Sequence, residues 1–297
     1  MPEKTNQPDT PGALVAQVES HAQRFATPCA DGELAWRRWG SGPEVVLLHG
    51  GTGSWTHWIR NVLVLARSHT VWIPDMPGFG DSAAPPKGSR IEALAEIVAA
   101  GIAKVAGGPV NLVGFSFGGL IAGHLAAAHP ELVRRLVLVG AGGLGLRHHQ
   151  KLPLLAWRHL KSDAERAAAH RHNLAILMLW NEAKIDALAL HIQSQNAARS
   201  RINSGPYSRG DVLLEPLSRV KGPVAGIWGR YDSTTVGRLA EVEPLLKRAN
   251  PGSTLTVIED AGHWAIYEQA EATNAVLLQA LAEPYVREGT LKPVAPP

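Results

Sequence analysis

The sequence predicts an α/β fold, a mostly parallel sheet flanked by helices on both faces, with a helical lid inserted near its middle. Three observations predict it. Short apolar runs alternate with stretches of helical periodicity along most of the chain, the pattern of a parallel sheet with crossover helices. The alternation breaks from about residue 142 to 214, where the sequence turns helical. One apolar run, Val110 to Phe115, leads into Gly114-Phe115-Ser116-Phe117-Gly118, and a small-residue helix pattern follows at once. The expected organisation is a disordered tail (1–11), a first core segment (12–141), the lid (142–214) and a second core segment (215–297).

Taken in order, the polar, proline-containing N-terminus gives way to a short amphipathic helix expected over Ala13 to Phe25. Glu33 to Trp39 and Glu44 to Leu48 read as strands joined by the turn Gly40-Ser41-Gly42-Pro43. The second strand runs into His49-Gly50-Gly51-Thr52-Gly53, a loop whose backbone N–H groups can approach a ligand oxygen closely. It lacks the Gly-Lys-Ser/Thr ending of a phosphate loop. A helix around Trp58 to Arg67 and a strand at Thr70 to Ile73 precede the turn-rich loop holding Asp75, which is expected to bond locally. Ile91 to Ala106 reads as helix and Arg135 to Gly140 as strand. Inside the lid, Leu152 to Leu160, Ala164 to Trp180 and Glu182 to Arg201 are candidate helices. Strands return at Pro223 to Trp228 and Ser253 to Ile258, and a final helix spans roughly Ala265 to Leu281.

The run around Ser116 has the order strand, sharp turn, helix that places a nucleophile at the carboxyl end of a sheet. With 30 glycines and 15 serines in 297 residues, Gly-x-Ser-x-Gly arises by chance roughly 0.15 times in such a chain. The motif therefore needs support from the rest of the sequence. A serine hydroxyl requires an adjacent base, itself held by a carboxylate. Asp232 follows the strand ending at Trp228, and His263 follows the strand ending at Ile258. The other common position for the acid, after Gly140, holds only Ala141, Gly142 and Gly143. Ser116, Asp232 and His263 are thus the candidate triad, in the chain order this topology requires. The amides of Gly51 and Phe117 are the candidate oxyanion donors.

Composition narrows the class further. Hydrophobic residues at 45% and charged residues at 19% describe a folded globular chain rather than a disordered one. Lys and Arg form no run suited to nucleic acid, and no apolar run approaches the ~18 residues of a membrane span. The lone Cys29 has no partner for a disulfide or a metal, and a cytoplasmic location is expected. The pairs His148-His149 and His170-x-His172 read as solvated or pocket-lining residues, so no metal and no cofactor is expected. By count the lid carries ten Lys/Arg against five Asp/Glu, which suggests an anionic substrate.

These motifs resemble the α/β-hydrolase superfamily over roughly residues 32 to 283. His49-Gly50-Gly51 together with Gly262-His263-Trp264 is most similar to the meta-cleavage-product hydrolases. The resemblance implies cofactor-independent hydrolysis of a carbon–carbon bond in a small, carboxylate-bearing dienoate from aromatic-ring degradation. It also implies that Trp264 lines the pocket and that a lid arginine, preferably Arg201 rather than Arg199, binds the substrate carboxylate. Gly50 and Phe115 complete the expected substrate contacts. Phe115 stands where that family typically carries Asn before its nucleophile. Ester, lactone or amide hydrolysis is therefore the alternative, with perhydrolase chemistry and a non-catalytic ligand receptor behind it. A small-molecule ligand, no nucleic acid and no membrane are expected; the oligomeric state, a homodimer included, is open.

Overall fold

The computed structural model describes residues 10–146, 152–235 and 237–282. Its eight strands are β1 (Gln23–Cys29), β2 (Gly32–Trp39), β3 (Glu44–Leu48), β4 (Thr70–Pro74), β5 (Val110–Phe115), β6 (Val133–Val139), β7 (Val224–Gly229) and β8 (Thr254–Ile258). They form one sheet in the order β1-β2-β4-β3-β5-β6-β7-β8. β1 and β2 pair antiparallel, as do β2 and β4, and all later neighbours are parallel. The helices are α1 (Pro11–Ser20), α2 (Val62–Leu65), α3 (Ile91–Val105), α4 (Phe117–Ala128), α5 (Asp163–Asn173), α6 (Ala187–Ala198), α7 (Leu214–Arg219), α8 (Val242–Ala249), α9 (Ala265–Glu268) and α10 (Ala270–Ala282).

Successive strand residues point to opposite faces, and along the central strands β3 to β6 both faces are largely dry. Val46 and Leu48 of β3, Leu112 of β5 and Leu136 and Leu138 of β6 join one core with α3, α4, α7 and α8. Val45, Leu47, Val113, Val137 and Val139 join the other, with α1, α2, α9, α10 and part of the helical insertion. Burial on both sides is what makes these strands near-continuous apolar runs. The loops at their carboxyl ends are left to carry polar chemistry.

Several elements differ from expectation for identifiable reasons. The N-terminal helix starts at Pro11, behind a Thr10 cap that accepts from the Ala13 amide, and stops at Ser20. Gln23 to Phe25 belong instead to β1, an edge strand exposed at most positions. Half of its backbone has no neighbour, so its side chains need no apolar alternation and Pro28 is tolerated. No helix forms over Leu152 to Leu160. Asn173 holds that segment in an open conformation, accepting from the Leu155 amide at 2.7 Å and donating to the Leu155 carbonyl at 2.9 Å. The helix expected to reach Trp180 gives way after Asn173 to a π-helical turn over Leu174–Met178. Among the described residues no helix is long and apolar enough to cross a membrane.

Candidate active site

β5 enters α4 through Ser116, whose backbone is driven to φ 52°, ψ −113°. Left-handed backbone of this kind is strained for a residue with a Cβ, and it lifts the Ser116 side chain clear of sheet and helix. Two glycines make the turn sterically feasible. A Cβ on Gly118 would fall 2.5 Å from the carbonyl oxygens of Leu48 and His49, and one on Gly114 would fall 2.6 Å from the Gly119 Cα. The amide of Phe117 opens α4, where an N–H has no partner within the helix.

β7 and β8 deliver the other two groups. His263 Nε2 lies 2.9 Å from Ser116 Oγ, and His263 Nδ1 lies 2.9 Å from both carboxylate oxygens of Asp232. Asp232 Oδ1 also accepts from the amide and hydroxyl of Thr234, at 2.8 and 2.7 Å. The Asp232 and His263 side chains are almost wholly buried. A carboxylate on Nδ1 keeps the proton there and leaves Nε2 free to accept from the serine hydroxyl. Gly140, at the end of β6, packs against the pair; its φ of 51° and the 3.0 Å from its Cβ position to Asp232 Oδ2 leave no room for a side chain. The three candidate residues are therefore one hydrogen-bonded chain.

The glycine loop after β3 is clamped by His49, which opens it, and by His57, which the sequence does not single out. His49 Nδ1 donates to the Gly50 carbonyl at 2.8 Å, and the Gly50 amide donates to His57 Nδ1 at 3.2 Å. The Met76 amide donates to His49 Nε2 at 2.8 Å. Burial, reinforced by the neighbouring His49 and His263, holds His57 well below the ordinary histidine range, so it stays neutral and accepts. The only trace of this role in the sequence is the position of His57 between two tryptophans, Trp55 and Trp58, and that trace is too weak to use. Asp75 is structural. It is buried, accepts from the Trp55 amide at 2.8 Å and the Asp81 amide at 2.9 Å, and pairs with Arg37 at 3.1 Å.

Ser116 and His263 open on a cavity of about 360 Å³, whose lining includes Gly50, Gly51, Phe115, Phe117, Leu177 and Met178. Among the described residues that line it, none is Asp, Glu, Lys or Arg, and His263 is the only histidine. Two expected substrate contacts lie elsewhere. Trp264 is 1% exposed and absent from the lining; its Nε1 donates to the His57 carbonyl at 3.0 Å and its ring stacks on Tyr267 at 4.1 Å. It follows His263 into α9 and packs into the core. Arg201 is also absent from the lining. Its guanidinium donates to the carbonyls of Phe79, Gly80 and Ser82, and its amide donates to the Gly78 carbonyl at 2.9 Å.

The insertion's positive charge is used in the same way at other points. Arg199 pairs with Asp81, Arg158 donates to the carbonyls of Ala197 and Ser200, and Arg171 donates to that of Ile185. Arg201→Ala is accordingly expected to lower the melting temperature and to reduce kcat/KM by similar factors on neutral and anionic substrates. A loss confined to anionic substrates would return Arg201 to the pocket.

His170 is buried against Trp157 and His172 bonds to the Pro153 carbonyl; His148 and His149 lie outside the described residues. No group of three or more potential metal ligands occurs among the described residues.

A model of the alpha/beta hydrolase fold family matches residues 43–170, which include the Ser116 turn. The chain has the α/β-hydrolase fold. Asp232 and His263 lie beyond the matched segment. Curated relatives include the 2-hydroxy-6-oxo-6-phenylhexa-2,4-dienoate hydrolase of Burkholderia cepacia, 29% identical over 82% of this chain and 89% of its own length. The 2-hydroxy-6-oxononadienedioate/2-hydroxy-6-oxononatrienedioate hydrolase of Escherichia coli K12 is 28% identical over 90% and 98%. Among solved structures, the meta-cleavage product hydrolase from Pseudomonas fluorescens IP01 superposes with a TM-score of 0.71 at 22% identity, covering 86% of this chain and 96% of that one.

Proposed function

We propose that this protein is an α/β-fold serine hydrolase that cleaves a small, neutral ester. The observation that carries the reading is the unbroken chain Ser116–His263–Asp232, with 2.9 Å at each link, opening on the cavity. In this mechanism His263 Nε2 takes the hydroxyl proton as Ser116 Oγ attacks the substrate carbonyl carbon. Asp232 stabilises the imidazolium that results. The amides of Gly51 and Phe117 receive the charge that develops on the carbonyl oxygen. His263 then returns its proton to the leaving alcohol, and water, activated by the same imidazole, releases the acid and frees Ser116. No step calls for a cofactor. The helical insertion would act as a lid over the site, with Leu177 and Met178 on its inner surface.

The described lining residues, none of them Asp, Glu, Lys or Arg, favour a neutral substrate. An anion brought into this cavity would lose its hydration and find no Lys or Arg among the described lining residues to pair with. Carbon–carbon cleavage of a dienoate is the second reading, supported by the names of the two relatives. That chemistry needs a partner for the substrate carboxylate and for its dienol oxygen, and Phe115 offers no side-chain donor. Steady-state kinetics on aryl esters, matched esters bearing a terminal carboxylate, and ring-cleavage dienoates test the choice. Neutral esters are expected to have the highest kcat/KM. A dienoate that exceeds them would replace ester hydrolysis with carbon–carbon cleavage.

A further inference from the structure

Gly51 is glycine because something already occupies the space its side chain would fill. A Cβ there would collide with Ser204 Oγ and fall 2.8 Å from Ser204 Cβ, with Phe117 Cβ 3.7 Å away. Ser204, from the insertion, thus places its hydroxyl beside the residues carrying both proposed oxyanion donors, on the wall of the cavity that contains Ser116. It does not cap the short 3-10 turn that follows it, Gly205–Ser208. Among the described residues Ser204 Oγ has no hydrogen-bond partner, although it lies beside Gly51, which carries one of the proposed oxyanion donors. A hydroxyl left unbonded at such a point is available to a ligand atom.

The position of Ser204 is fixed on both sides. Before it, Arg199 pairs with Asp81, Arg201 bridges three carbonyls of the 79–82 loop, and Ile202 sits where a Cβ on Gly78 would fall. After it, the Tyr207 hydroxyl donates to the Ser89 carbonyl at 2.8 Å, and the Tyr207 ring lies 5.7 Å from that of Phe117. The arginines that the sequence offers as substrate ligands instead hold the segment that brings a serine to the oxyanion loop.

We propose that Ser204 is a catalytic residue, its hydroxyl donating a hydrogen bond to the substrate carbonyl oxygen alongside the amides of Gly51 and Phe117. The inference rests on the serine-hydrolase reading above. The proton stays on Ser204 throughout, and the bond strengthens as the carbonyl oxygen becomes an oxyanion. Because the donor belongs to the insertion, the oxyanion site is complete only while the insertion is seated.

The test compares wild type, Ser204→Ala, Ser204→Thr and Ser116→Ala on acetate esters of phenols with different leaving abilities, together with inhibition by an arylboronic acid. The boronic acid forms a tetrahedral adduct on Ser116. Ser204→Ala is expected to lower kcat by on the order of 10²-fold, the loss typical of removing one oxyanion donor, with KM little changed. The loss should be equal across leaving groups, should be matched by weaker boronic-acid inhibition, and should be largely recovered in Ser204→Thr. Wild-type kcat in Ser204→Ala would overturn the proposal. A loss that varies with the leaving group would also overturn it, because the donor would then serve the departing oxygen. So would a loss that tracks a lower melting temperature and is not recovered in Ser204→Thr. Residual activity in Ser116→Ala would instead overturn the underlying serine-hydrolase reading; an inactive Ser116→Ala with a fully active Ser204→Ala defeats the Ser204 role alone.

Discussion

Ser116→Ala and His263→Ala are each expected to lower kcat on an aryl ester by on the order of 10⁴-fold or more, and the double variant is expected to be little worse than either. The reason lies in the shared proton. The hydroxyl is a poor nucleophile unless His263 Nε2, 2.9 Å away, accepts its hydrogen as the bond to carbon forms. Removing either partner removes the same step, so the second deletion has little left to remove. Melting temperatures should stay near that of the parent chain for Ser116→Ala, since the serine hydroxyl is bonded to His263 and holds no core element. Losses that multiply in the double variant would mean that the two residues serve separate steps.

Asp232→Asn is expected to cost nearly as much, on the order of 10⁴-fold in kcat. The arrangement around Asp232 dictates how the amide would sit. Oδ1 accepts from both the amide and the hydroxyl of Thr234, so the asparagine oxygen would take that place. Its NH2 group would then face His263 Nδ1, which can meet a donor only by giving up its own proton. The proton would move to Nε2, and the nitrogen facing Ser116 could no longer accept. Single-turnover kinetics would register this as slow acylation in a folded protein. Near-parental activity would show that another carboxylate serves His263.

How much of this was legible in the sequence follows from how local each cause is. β3, β5 and β6 were readable because burial on both faces leaves an unbroken apolar run. Edge strand β1 was not readable, because a strand with one neighbour and a wet face carries no comparable pattern. Ser116, Asp232 and His263 could be chosen because each sits at the end of a readable strand and the three occur in a fixed order. Arg201 and Trp264 show the opposite case. Their chemistry is plain from their identity, but their partners, the carbonyls near residue 80 and the ring of Tyr267 with the His57 carbonyl, are set by tertiary packing. Ser204 gives no local signal at all; its position against Gly51 exists only after the insertion has folded back on the core.

The network around Arg37 has a further consequence. Arg37 is 3% exposed and joins Glu19 of α1, Asp75 and Asp81, and Asp81 in turn holds Arg199 of the insertion. The inner pair, Arg37 with Asp75, is sealed from mobile ions. The outer pair is open to them, with Arg199 and Asp81 44% and 31% exposed. Dissolved electrolyte weakens exposed pairs far more than buried ones. Rising ionic strength therefore loosens the attachment of the insertion while the sheet beneath keeps its charges matched. Turnover of a wholly uncharged ester would then decline in salt, although no electrostatic steering of the substrate is involved. In this enzyme a salt effect on rate would report how firmly the insertion is fastened, and would say nothing about the charge of what it binds.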